Sequence, residues 1–163
     1  MQKNKSVERI VRIGLMASIS IVLVYFIRFP IFPLVVPFLE YDPADIPILF
    51  TALSFGTIEG LLLTLIVSII QGVTVSSSSG IVGIIMHILS TGSFVLVAGL
   101  IYHRKKTTIN AIVALTLGVI TSAITMIAWN LIFTPHFMNV SIEVVIGILP
   151  FIIAFNLIKA GVN

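Results

Sequence analysis

A small set of polar side chains within apolar runs carries the chemistry that this sequence offers. They are His87, Ser90 and Thr91 in one run, and the asparagines Asn130 and Asn156 in two later runs. A hydroxyl, imidazole or carboxamide group in lipid needs a hydrogen-bonding partner, which neighbouring protein, water or a ligand can supply. These residues therefore indicate either hydrogen bonds between helices or a polar ligand site inside an apolar protein.

The residues that several kinds of catalysis require are absent from the sequence. There is no cysteine, which excludes disulfides, thiolate metal ligands and cysteine nucleophiles. The motifs G-x-x-x-x-G-K-[ST], H-E-x-x-H and G-x-S-x-G do not occur, so the signatures of ATP hydrolysis, metalloproteases and serine hydrolases are missing. The three histidines lie far apart in sequence, and we expect no catalytic residues and no metal site.

Composition places the chain in a membrane. Of its 163 residues, 58% are hydrophobic and 9% are charged, whereas soluble domains have about one quarter charged residues. The net charge of +3 comes from basic clusters between apolar runs, which is typical of membrane topology signals rather than of nucleic-acid binding. The predicted fold class is all-α, a polytopic helical bundle in the lipid bilayer with no nucleic-acid partner.

Apolar runs of about 20 residues predict membrane-spanning helices. We expect helices at residues 9–29, 44–55, 57–73, 81–103 and 108–131, and a sixth near the C-terminus. Residues 46–72 form either one long span or a hairpin broken between Phe55 and Gly60. The basic residues at 103–106 and the basic N-terminus can both be cytoplasmic only if an even number of helices separates them. The hairpin satisfies that condition, and its first helix is short for a full crossing.

The acidic residues are expected outside the spans. Every Asp and Glu lies in a predicted tail, loop or turn, and three of them, Glu40, Asp42 and Asp45, lie in a proline-rich external loop at 29–47. A charge at the centre of a span costs about 2.5–3.5 kcal/mol on insertion scales, a cost that ion-coupled transporters accept for their relays. The sequence therefore disfavours an autonomous ion-driven pump, and another subunit must supply energy for any transport.

Five segments resemble one family of membrane transport proteins. They are residues 39–47 (LEYDPADIP), 81–88, 98–102, 130–135 (NLIFTP) and 155–161 (FNLIKAG). These segments resemble the substrate-binding (S) components of energy-coupling factor (ECF) transporters, and among them the riboflavin-specific members. The likeness covers nearly the whole chain, and it is most specific in the loop before the second helix and in the Asn-x-x-Lys of residues 156–159.

The resemblance implies a six-helix S component in the cell membrane that captures a vitamin from outside. It implies docking on a transmembrane coupling subunit powered by two ATPase subunits, with riboflavin as the transported ligand and no cofactor. Apolar and aromatic walls with a few convergent polar groups suit such a ligand. The candidate substrate-binding residues are Leu39, Glu40, Tyr41, Asp42, Met86, His87, Ser90, Asn130, Asn156 and Lys159. For Asp42 and Asp45, capping of the second helix is at least as good an interpretation.

A small-x-x-x-small pattern on the first helix favours close approach of another helix. Gly14 and Ser18 are four residues apart and share a helix face. Packing within the protein explains the pattern equally well. The resemblance implies that Gly14, Ala17 and Ser18 contact the coupling subunit.

The C-terminal region permits two interpretations. Hydropathy and charge predict a sixth helix at 142–158, whereas the resemblance implies a last helix that starts near residue 155 and is truncated at Asn163. We prefer the second interpretation because Pro150 and Asn156 suit a lipid-facing span poorly.

Other functions remain open at this level. The same class of subunit can take another vitamin, such as pantothenate, pyridoxine or a thiamine precursor. A membrane enzyme would need a nucleophile–base pair or a metal-ligand cluster. A small structural or pore-forming membrane protein would need no ligand, whereas the polar residues gathered near one end of the predicted bundle favour a site.

Overall fold

The structure, a computed structural model, describes residues 5–163, apart from the side chain of Ser78. These residues form six α-helices: α1 (Lys5–Phe26), α2 (Asp45–Ser54), α3 (Thr57–Val73), α4 (Gly80–Arg104), α5 (Thr108–Met138) and α6 (Ile142–Val162). A short 3₁₀ helix, Ser77–Ser79, precedes α4. Within this range α1, α4, α5 and α6 are long and apolar enough to cross a membrane, and α2 and α3 are shorter apolar helices. The predicted all-α, six-helix membrane fold is confirmed.

A tight turn separates α2 from α3. Gly56 has φ of +146°, a backbone conformation that side-chain-bearing residues rarely adopt. The N–H of Phe55 bonds to the carbonyl of Thr51 at 2.9 Å and closes the last turn of α2. Nε2 of His103 lies 2.9 Å from the carbonyl oxygen of Ala52, so the basic end of α4 is attached to this hairpin.

The proline-rich segment between α1 and α2 folds onto the bundle. Two short strands, β1 (Phe29–Pro30) and β2 (Glu40–Tyr41), pair antiparallel, with Phe29 opposite Tyr41. Between them, Val36 and Leu39 pack against Ile152 and Phe155 of α6 in a small apolar cluster. Burial of these side chains holds the loop over one end of the helices.

The main core lies where α4 packs between α3 and α5. Leu63 and Val67 of α3 meet Phe94 and Val95 of α4, and all four are buried. A Cβ atom on Gly118 of α5 would overlap the ring of Phe94, so glycine at this position allows α4 and α5 to pack closely. This packing positions the polar faces of α3, α4 and α5 around a common space.

The prediction that the last helix starts near residue 155 is wrong. Helix α6 is continuous from Ile142 and includes Pro150, because a membrane helix tolerates the loss of one backbone hydrogen bond. Asn156 does not face lipid: it is 6% exposed, and its Nδ2 donates to the carbonyl of Ile152 at 2.8 Å. The expectation that this helix continues beyond Asn163 stays a prediction.

Helix α5 also extends beyond its predicted end at residue 131. It continues through Pro135 to Met138 and stops where Asn139 adopts the left-handed conformation, with φ of +53°. Asparagine accepts this conformation more readily than most residues, and it commonly terminates helices in this way.

Candidate functional site

A cavity with both apolar and polar lining residues lies between the proline-rich loop and helices α3 to α6. Its volume is about 140 Å³. One water molecule needs about 10–15 Å³ of such space, so the cavity has room for about ten waters or a small organic molecule. Of the predicted substrate-binding residues, those in its lining are Leu39, Glu40, Asp42, Met86, His87, Ser90, Asn156 and Lys159.

A buried ion pair lies at the wall formed by α6. Nζ of Lys159 is 2.8 Å from Oδ2 of Asp42, and Nε2 of Gln71 donates to the same oxygen at 3.2 Å. Asp42 is 2% exposed. Burying a lone charge is costly, so each member of the pair offsets part of the desolvation cost of the other.

A second buried carboxylate, that of Asp45, joins α2 to α4. One of its oxygens accepts a hydrogen bond from Thr91 at 2.7 Å and lies 3.3 Å from Nε2 of His87. The other ring nitrogen of His87 is 2.7 Å from Oγ of Ser68 on α3. His87 therefore makes contacts between helices and also lines the cavity, and its contact with a ligand stays a prediction.

Asp42 lies in the proline-rich loop and Asp45 in the first turn of α2, and both side chains are buried inside the bundle. The capping interpretation is wrong for Asp45, because the beginning of α2 has no side-chain cap and its carboxylate turns to α4. Oδ1 of Asp42 does accept the N–H of Ala44 at 3.1 Å, so Asp42 orders the entry to α2 while its other oxygen bonds to Lys159.

Arg28, which follows the end of α1, lines the cavity and links two of the segments around it. Its guanidinium forms an ion pair with Glu40 and donates to the carbonyl of Val75 after α3. The pair links β2 to the segment between α3 and α4. Glu40, predicted as an acceptor for ligand hydroxyls, thus already has an internal cationic partner.

Two predicted residues lie outside the lining that the described residues form. The hydroxyl of Tyr41 donates to Oδ1 of Asn163 at 2.9 Å, and its ring packs on Phe29 with centroids 5.3 Å apart. Burial, and then the negative charge of Asp42, raises the pKa of Tyr41 above its ordinary value, so the phenol keeps its proton at neutral pH.

Asn130 is the other predicted residue outside the lining. It is fully buried, its Nδ2 donates to the carbonyl of Met126, and its Oδ1 accepts from Thr134, both at 2.8 Å. Met126 and Thr134 are lining residues one turn to either side of it. Asn130 therefore shares the helix face that meets the cavity while its hydrogen bonds stay within α5.

Sequence reasoning missed Gln71, which is the one carboxamide in α3. It lines the cavity, and its Oε1 is buried without a hydrogen-bond partner among the residues that the structure describes. An unpaired buried acceptor is unusual and is expected where a ligand or water completes the site. Other lining residues that were missed include Arg28, Ser68, Met126, Thr134 and Phe155.

The small residues of α1 lie on two different faces. Gly14 and Ser18 are exposed, and within the described range no heavy atom comes within 4 Å of a Cβ placed on Gly14. Ala17 is 7% exposed and packs in the main core. The surface that Gly14 and Ser18 share is thus open to another helix, whereas Ala17 faces the interior of its own bundle.

These features define a class of protein before any comparison. A membrane-spanning helical bundle contains a cavity lined by apolar side chains and a few polar ones, and residues 5–163 contain no group of three or more His, Asp or Glu side chains that could hold a metal ion. A cavity with apolar walls and a few polar groups is typical of a site for a small solute.

Comparison with known proteins identifies the family. A sequence model described as ECF transporter, substrate-specific component, matches residues 8–163. The chain belongs to this family, and it is a substrate-binding transport subunit rather than an enzyme.

Two relatives show how far the likeness extends. The riboflavin transporter RibU of Staphylococcus aureus (strain TCH60) is 31% identical over 170 residues, which cover 98% of this chain and 84% of that protein. The solved structure of the S component of a bacterial ECF transporter superposes with a TM-score of 0.81 at 27% identity, over 96% of this chain and 91% of the other.

Proposed function

We propose that the chain is the riboflavin-binding S component of an ECF transporter, and that it captures the vitamin in the cavity between the proline-rich loop and helices α3 to α6. Family membership and the 31% identity to a riboflavin transporter support this function. The observation that carries the choice of site is that Asn156 and Lys159 of α6 and Gln71 of α3 converge on one cavity.

The charges of the cavity favour an uncharged ligand. Its two cationic side chains, Arg28 and Lys159, are each paired with a carboxylate, that of Glu40 and that of Asp42 respectively. Two positive and two negative charges leave no formal net charge among them. A ligand with its own carboxylate, such as pantothenate, would have to compete with Glu40 or Asp42 for a cation, whereas uncharged riboflavin would not.

The distribution of polar and apolar groups in the cavity suits a ligand with a flat ring and a hydroxylated tail. Leu39, Met86 and Phe155 supply apolar wall. Asn156 offers both a donor and an acceptor, and Lys159 offers three donors of which Asp42 takes one. These groups match the ring carbonyls and ribityl hydroxyls of riboflavin, and the buried Oε1 of Gln71 can accept from an N–H or O–H group of the ligand.

The proposed orientation places the N-terminus and the basic end of α4 in the cytoplasm. His103 and Arg104 form the last turn of α4, and Lys105 and Lys106 follow it. The positive-inside rule assigns such clusters to the cytoplasmic face. The cavity, at the other end of the helices, then opens outward. A transmembrane coupling subunit with two ATPase subunits docks on the face that carries Gly14 and Ser18.

The direct test is a vitamin panel on detergent-purified protein. Riboflavin fluorescence should be quenched in a saturable manner with one vitamin per chain, and bound flavin should give a visible absorption band. Pantothenate, pyridoxine and the thiamine pyrimidine should not displace it. If one of these compounds displaced riboflavin at a concentration below that of riboflavin itself, the substrate would be reassigned. The lack of any saturable riboflavin binding would reject the proposal.

A further inference from the structure

The cavity between the proline-rich loop and helices α3 to α6 is the proposed riboflavin site, or vitamin cavity. A second concave site lies at the opposite end of the bundle. It is a cleft of about 330 Å³ between the beginning of α1 and the turn that joins α2 to α3. The vitamin cavity touches the other end of α1 at Arg28. Charged side chains dominate the cleft, and its lining includes Lys5, Glu8, Arg9, Arg12, Phe55 and Glu59.

The cleft carries an excess of positive charge. Among the lining residues that the structure describes, three cations face two carboxylates, which leaves one net positive charge. Nε of Arg9 is 3.1 Å from Oε1 of Glu59, and Arg12 pairs with Glu8. A guanidinium has five N–H donors, and one carboxylate engages at most two of them. Both arginine side chains remain over 40% exposed, so their other donors can reach an anion in the cleft.

The cleft also has an apolar side. The guanidinium carbon of Arg12 lies 4.9 Å from the ring centroid of Phe55, and Ile13 lines the same space. Ile10, on the next turn of α1, is 70% exposed. A spanning helix such as α1 places its charged end at the depth of lipid headgroups and its apolar residues beside the acyl chains.

We propose that this cleft binds an anionic phospholipid, with the phosphate of the headgroup against Arg9 and Arg12 and the beginning of the acyl chains along Ile10 and Ile13. The positive excess selects an acidic headgroup over a zwitterionic one. The bound lipid connects the first turns of α1 with the turn between α2 and α3. This site is separate from the vitamin cavity and does not depend on which vitamin is bound.

Native mass spectrometry of the purified full chain tests the proposal. The probes are dihexanoyl phosphatidylglycerol, dihexanoyl phosphatidylcholine and inorganic phosphate, each titrated below micelle formation. The wild-type protein should retain phosphatidylglycerol in preference to phosphatidylcholine. Arg9→Gln and Arg12→Gln should each weaken that retention about fivefold, because one cation near the membrane surface contributes about 1 kcal/mol.

The matched control is Arg104→Gln, which removes an exposed cation at the same end of the bundle but outside the cleft lining. It should retain phosphatidylglycerol normally, and riboflavin titration should be unchanged in every variant, which separates this result from the test of the proposed function. If Arg12→Gln does not fold, Lys5→Gln serves in its place.

Four outcomes would overturn the proposal. The first is equal retention of phosphatidylglycerol and phosphatidylcholine. The second is a loss of phosphatidylglycerol retention in Arg104→Gln equal to that in the cleft variants. The third is displacement of the lipid by inorganic phosphate at the same concentration, which would indicate a site for a free anion. The fourth is normal lipid retention by Arg9→Gln and Arg12→Gln, and if these variants also lose a co-purifying ATPase complex, the cleft belongs to a protein partner.

Discussion

Nζ of Lys159 lies 2.8 Å from Oδ2 of Asp42, although the two residues are 117 positions apart in the chain. The contact joins α6 to the proline-rich loop, and both side chains border the vitamin cavity. Because the pair is largely shielded from water, it holds the proline-rich loop against α6 and so positions the polar groups that border the cavity.

Lys159→Ala should weaken riboflavin binding by about 1.5–3 kcal/mol, since it removes a charged hydrogen-bond donor from the cavity. That loss corresponds to a roughly 10- to 150-fold increase in Kd. It should also lower the unfolding temperature, because Asp42 would be left buried without its cation. The double variant Asp42→Asn with Lys159→Met should recover stability without recovering affinity. Unchanged affinity in Lys159→Ala, by fluorescence titration, would remove this residue from the site.

Gln71→Leu should weaken riboflavin binding by about 0.5–1.5 kcal/mol, the usual contribution of a neutral hydrogen bond. Its Oε1 has no partner in the described part of the chain and borders the cavity. The control is Thr64→Val on the same helix, because the Thr64 hydroxyl bonds within α3 to the carbonyl of Gly60. Equal affinities for Gln71→Leu and Thr64→Val would show that Gln71 does not contact the vitamin.

Gly14→Leu and Ser18→Leu should leave riboflavin binding intact but abolish ATP-driven uptake. Both positions are exposed on α1, and added bulk there blocks the close approach of a helix from another subunit. Ile19→Phe adds bulk at an exposed position that follows Ser18 directly and is therefore turned away from the face that Gly14 and Ser18 share, and this variant should transport normally. Normal uptake by Gly14→Leu, measured in vesicles with the complete transporter, would locate the coupling surface elsewhere.

Gly118→Ala should destabilise the bundle by about 1–3 kcal/mol, because its Cβ would overlap Phe94 where α4 meets α5. Gly147→Ala in α6 is the matched control, since no described heavy atom lies within 4 Å of its Cβ. Thermal unfolding in detergent should show a lower midpoint for the first variant only. Equal thermal unfolding midpoints for Gly118→Ala and Gly147→Ala would mean that α4 and α5 can move apart at Gly118 at little cost.

The apolar runs were sufficient to predict a six-helix bundle, and eight of the ten predicted substrate-binding residues lie in the cavity lining. Each span is a local property of about 20 residues. His87 and Ser90 were identified because polar groups stand out in an apolar run. Asn156 and Lys159 were identified by their resemblance to a family motif.

Contacts between distant segments could not be predicted in the same way. The pairing of Asp42 with Lys159, and of Arg28 with Glu40, depends on where the proline-rich loop lands on the bundle. Hydropathy assigns that loop to the exterior, so the burial of its carboxylates was not foreseen. The start of α6 was misjudged because Pro150 and Asn156 were both weighed as lipid-facing residues, whereas Asn156 faces the interior.

The most direct test of the central claim is the experimentally determined structure of the protein with riboflavin bound. The ring system should lie among Leu39, Met86 and Phe155, with polar atoms about 2.7–3.2 Å from Nζ of Lys159 and from the side chain of Asn156. Riboflavin bound at another place on the bundle, with Lys159 still in contact only with Asp42, would contradict the assignment of this cavity.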